Sequence, residues 1–111
     1  MATAAFWQKG EALDYPNSSG SKISANTIVV VSTRVGVIGC DIENGKTGTI
    51  HMGGVWEMPK SGSSAIVLGQ TVYWDTTNSG ITNVSTDNTE AGYAAAAAGA
   101  DDTKILVKLR G

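Results

Sequence analysis

The chain has 111 residues, 41% apolar and 16% charged, which suffices for one real core but not for a core plus a separate deep cleft. Its net charge of −2 offers no basic footprint for neutralising phosphates, so nucleic acid is not expected as a partner. A lone cysteine, Cys40, excludes an internal disulfide. No apolar run approaches the ~20 residues of a membrane span, and Met1 to Lys9 lacks the basic and long apolar regions of a secretory leader. Neither a membrane partner nor export is therefore expected.

In chain order, Phe6-Trp7-Gln8 reads as a short aromatic strand candidate within an N-terminal arm. Glu11, Leu13 and Tyr15 then share one face by the two-residue strand period, and Pro16 to Gly20 is loop. Ile28-Val29-Val30-Val31 is a continuous β-branched run, predicted to be a strand buried on both faces. Arg34 to Cys40 forms the next run. Asn44-Gly45 marks a turn because both residue types accept positive φ. A long strand is predicted over Thr49 to Met58, with Gly53-Gly54 marking a bulge or sharp bend and Pro59 ending its pairing. If that strand ran straight, Ile50, Met52, Gly54, Trp56 and Met58 would share a face.

Ile66 to Gln70 leads into a strand at Thr71 to Asp75. A turn follows at Thr76 to Gly80, then a short strand suited to an edge at Ile81 to Val84. The alanine run Ala94 to Ala98 admits helix or strand. Gly92 and the shortness of the segment favour a strand from Ala91 to about Ala95 that pairs with the last strand. That last strand is the clearest: Ile105, Val107 and Leu109 face one way, and Lys104, Leu106, Lys108 and Arg110 the other. Asp101-Asp102 is placed to cap the turn before it. About eight or nine short strands with little or no helix predict an all-β fold, a small single-domain β-barrel or sandwich. Residues 1–10 read as a flexible arm and 11–111 as the β domain.

No motif carries chemistry. Gly45-Lys46-Thr47 lacks the first glycine of a phosphate-cradling loop, which falls on Cys40, and Asp41 and Glu43 would repel phosphate. Cys40 and His51 stand on successive strands without a third partner, so a buried, inert Cys40 is expected. The chain holds too few soft or imidazole ligands for a metal site, and its carboxylates are scattered rather than paired across a cleft. No cofactor, and no enzyme, is expected. What remains is surface. Trp56 and Trp74 are assigned to the core. Phe6 and Trp7 are candidate interface anchors, since aromatic side chains dominate interface hot spots. Lys104, Lys108 and Arg110 form a basic stripe that could meet an acidic partner.

Motif order and spacing along nearly the whole chain carry a family resemblance. The opening Met1 to Tyr15, Val37-Ile38 through Asp41-Ile42, Gly45-x-x-Gly48, Gly54 to Lys60, Leu68 to Asp75, Gly92-Tyr93-Ala94 with its alanine-rich patch, and Lys104 to Leu109 together resemble the small capsid cement, or head decoration, proteins of tailed phages and prophages. The resemblance implies a β-rich structural protein on the outer capsid surface of a virion, made in the bacterial host cytoplasm. Its implied partners are the major capsid protein and further copies of itself, as a trimer. It brings no catalytic residues. The alternative is a carbohydrate- or host-surface-binding β module, which would require a solvent-exposed row of aromatics.

Overall fold

The computed structural model describes residues 3–6 and 10–110. Nine strands form: β1 (Ala12–Pro16), β2 (Ile28–Val31), β3 (Arg34–Ile38), β4 (Thr47–His51), β5 (Val55–Pro59), β6 (Thr71–Asp75), β7 (Gly80–Thr82), β8 (Thr89–Ala94) and β9 (Lys104–Leu109). They make two antiparallel sheets, ordered β1-β4-β3-β2 and β5-β9-β8-β6-β7. Among the described residues there is no helix, so the all-β expectation holds. The larger sheet curls until Ile81 in β7 meets Lys60, just past β5, in an isolated parallel bridge.

One local device starts four of the nine strands. A turn with its third residue at positive φ precedes β2 (Asn26, φ 68°), β4 (Gly45, 80°), β6 (Gly69, 85°) and β8 (Asp87, 60°). Each turn is closed by a backbone hydrogen bond from its fourth residue to its first: Thr27 to Ser24, Lys46 to Glu43, Gln70 to Val67, and Asn88 to Ser85. Positive φ at the third position is what this turn geometry demands, and Gly, Asn and Asp supply it at least cost. The device recurs at irregular spacing, so it leaves no period in the sequence. Asn44-Gly45 does turn the chain, with Gly45 alone taking positive φ. Asp102 caps the turn before β9, its carboxylate accepting the Gly99 N–H at 2.7 Å.

The main core lies between the sheets. Val35 and Val37 of β3 pack with Met58, Ile66, Val72, Ile81, Ala91, Ala94, Ile105, Val107 and Leu109, and half-buried Ile28, Val30, Trp56 and Trp74 close around them. A second cluster (Ile38, Ile42, Ile50 and Met52) sits on the other face of the smaller sheet with Tyr15, Ile23, Val29 and Val31. Ile23 and Ile42 bridge each other through paired backbone bonds of 2.9 and 2.8 Å and cover that face. Gly36 leaves room for this packing, since a Cβ there would stand 2.7 Å from Ile50 Cδ1 and Met52 Sδ.

Several expectations are corrected. β2 is an edge strand, half-buried at all four positions rather than buried on both faces. The run Thr49 to Met58 is not one strand. β4 and β5 belong to different sheets, and the chain crosses between them at Met52 to Gly54, with Gly54 at φ 91°. Ile50 and Met52 accordingly pack in one cluster and Trp56 and Met58 in the other. Ile66 to Gln70, which the sequence leaves unassigned, is a bridge and a tight turn, which exposes Val67 and Leu68. Phe6 lies in no strand, and Trp7-Gln8 falls outside the described residues.

Candidate binding surface

Alternation along β9 buries Ile105, Val107 and Leu109 at 3% exposure or less and turns Lys104, Leu106, Lys108 and Arg110 outward. The register of the neighbouring strands extends this outer face. β5 places Val55 opposite Lys108, Glu57 opposite Leu106 and Pro59 opposite Lys104. β8 places Tyr93 opposite Lys108 from the other side. Val55 (56% exposed), Tyr93 (45%) and Leu106 (41%) are thus apolar side chains interleaved with cations. The exposed Val67-Leu68 turn joins the end of β8 through the Gly69 N–H, which donates to Ala94 C=O at 2.8 Å.

A bulge sets the outward residues of β8. Val72 pairs with Gly92 and the next residue, Tyr73, pairs with Glu90, so Ala91 is extra. Ala91 and Gly92 are consecutive yet both buried, while Glu90 and Tyr93 are released to the outer side. Gly92 cannot carry a side chain, because a Cβ there would run into the Lys108 carbonyl oxygen. Glu90 reaches the Arg110 guanidinium at 3.1 Å, and Lys108 Nζ donates to the Leu109 carbonyl at 3.1 Å. Lys104 remains exposed. The face carries three cations against two carboxylates on a chain whose net charge is −2.

Of the sequence candidates, Lys104, Lys108 and Arg110 are brought together here. Phe6 is 86% exposed and in no strand, and Trp7 lies outside the described residues. Val55, Tyr93, Val67 and Leu68 were not singled out from the sequence. For Val55 the signal was its even spacing from Glu57 after the Gly53-Gly54 bend. For Tyr93 the bulge erased it.

The other candidate chemistry is dispersed. Cys40 is exposed rather than buried. Its sulfur lies on the Gly48 side of the smaller sheet, whereas the His51 ring lies against Gly39, on the opposite face. The strand period therefore keeps thiol and imidazole apart. His51 instead leans on Trp56, ring centroids 5.5 Å apart, and Trp56 Nε1 donates to Gly53 C=O at 2.9 Å. With Trp56 and Trp74 half-buried against the core, no outward row of aromatics forms among the described residues. Nor does any group of three or more metal-ligating side chains form there. A shallow polar groove holds Asp75, Thr77, Asn78 and Asp87. Asp75 in it sits below the usual carboxylate range, because the Asn78 side chain and backbone donate to it.

Residues 7–109 match the model of a family described as phage cement protein. No curated protein and no solved structure matches the chain.

Proposed function

The chain belongs to the phage cement protein family, which gives it a structural role in the phage capsid, and from that premise we propose that it binds the outer surface of a phage head and stabilises the shell. The partner is the major capsid protein, and the protein acts as a trimer on the virion after synthesis in the bacterial host cytoplasm. Residues 1–10 serve as an arm and 11–111 as the β domain. Phe6 and Trp7 on the arm, and Lys104, Lys108 and Arg110 on the domain, make the contacts.

The observation that carries this reading is the outer face of β9. Apolar side chains interleaved with cations are what a protein needs to adhere to an extended acidic surface. Many such contacts, each weak, become strong when the surface is a lattice. The test is co-sedimentation of the purified protein with expanded and with unexpanded heads. The wild type is expected to pellet with heads. Lys104→Glu combined with Leu106→Asp is expected to bind at least about tenfold more weakly, a loss of roughly 1.4 kcal/mol, with an unchanged thermal midpoint because both residues are exposed. Wild-type protein that ignores heads, or a double variant that binds them as well as wild type does, overturns the reading.

A further inference from the structure

Four strands end a sheet, and three of them are covered or guarded. β5 and β7 meet through the Lys60–Ile81 bridge, and β1 carries Asp14 and ends on Pro16, which offers no N–H. β2 has none of the devices that blunt an edge, such as lysine, proline, an inward charge or a bulge within the strand. It is Ile28-Val29-Val30-Val31, uncharged and β-branched throughout, with every side chain half-buried. Among the described residues nothing pairs with its outer side.

The hydrogen-bond pattern says which groups are free. The Ile38 N–H donates to the Thr27 carbonyl at 2.9 Å. Alternation from that pair directs Val29 toward Gly36 and Val31 toward Arg34, in register. The N–H and C=O of Ile28 and of Val30 therefore point out of the sheet. Ile28 and Val30 lean on the main core, Val29 and Val31 on the second, and both pairs stay half-covered. A strand laid along this edge would satisfy the backbone and cover side chains on both faces.

We propose that this strand is β2 of a second copy, antiparallel, about a two-fold axis at Val29. The free groups lie symmetrically about Val29, so the axis sets each Ile28 opposite the other copy's Val30 and closes four hydrogen bonds. No charge occurs from Ile23 through Thr33, so copies of an acidic chain meet here without like-charge repulsion. The pairing joins two four-stranded sheets into one of eight strands. So short a seam is weak alone. Its strengthening on a capsid lattice rests on the function proposed above, but the pairing itself does not.

Two measurements test it. At the axis the two Val29 Cα atoms come within disulfide reach. In a Cys40→Ala background at millimolar concentration, Val29→Cys is expected to give a disulfide-linked dimer under mild oxidation, whereas off-axis Val31→Cys gives no cross-link. Adding Val30→Pro removes an outward N–H without touching the β2–β3 ladder and is expected to abolish the dimer while far-ultraviolet circular dichroism is unchanged. In the unaltered protein, amide exchange at Ile28 and Val30 is expected to slow with concentration, while Val29 and Val31 are protected throughout. Equal cross-linking at positions 29 and 31, or a dimer that survives Val30→Pro, overturns the proposal. So does exchange at Ile28 and Val30 that ignores concentration, or that slows only when heads are added; the last outcome would assign the edge to a shell segment. A protein that pairs but does not bind heads would fail the capsid reading alone.

Discussion

Asn17 is 2% exposed and uses its whole side chain. Its amide nitrogen donates to the carbonyls of Ser21 and Ile42, each at 2.8 Å. Its oxygen accepts from the Ser19 N–H at 3.0 Å and hydroxyl at 2.7 Å. Its backbone also exchanges bonds with Lys46 and Gly45. The residue therefore ties the loop after β1 to the turn before β4 and holds Ile42 over the second core. Asn17→Ala strands buried carbonyls and is expected to cost about 2–3 kcal/mol by urea denaturation. Asn17→Asp should be no milder, because an ionised carboxylate cannot donate to those carbonyls. Nearby, the Ala25 N–H and then Lys22 hold the Asp41 carboxyl below its ordinary value of 3.8. A depressed folded value means the bonds stabilise above 3.8 and are lost as pH falls through the lower one. The thermal midpoint should therefore fall more steeply in wild type than in Asp41→Asn as pH drops below that value, measured by circular dichroism melts.

At the scale of elements, glycine positions decide how sheets close. Gly36 on β3 faces Ile50 and Met52, where an added Cβ would stand 2.7 Å from both side chains. Gly36→Ala is expected to destabilise by about 1–3 kcal/mol through overpacking. Adding Ile50→Val, which removes the Cδ1 in the way, should recover part of that loss, so that the double variant unfolds at higher urea than additivity allows. The Gly53-Gly54 pair was legible as a bend, but not that the bend carries the chain from one sheet to the other. The alternation of β9 was fully legible, and so was the Lys104, Lys108 and Arg110 stripe. Val55 joins that stripe only through its register with Lys108, and Tyr93 only through the bulge at Ala91. Even spacing from Glu57 marks the face Val55 takes, but which residues flank Val55 and Tyr93 is set by pairing with other strands, which no local pattern reveals.

For the whole molecule, the proposed function divides adhesion between the β9 face and the arm. Deleting residues 1–9 removes Phe6, which is 86% exposed, and touches no named strand. The truncated protein is expected to keep its melting midpoint within a degree or two and to lose co-sedimentation with heads. Head binding as strong as that of the full chain would remove the arm from the contact. Most strand and turn positions, and the two faces of β9, were set by sequence alone, because two-residue alternation and the φ preferences of Gly, Asn and Asp act within a few residues. The pairing of strands into two sheets, the second core under Ile42 and the open edge at β2 were decided only by tertiary structure. Ile28 to Val31 has the composition of a central strand, and whether such a run ends buried or at an edge depends on neighbours that other parts of the chain supply or withhold.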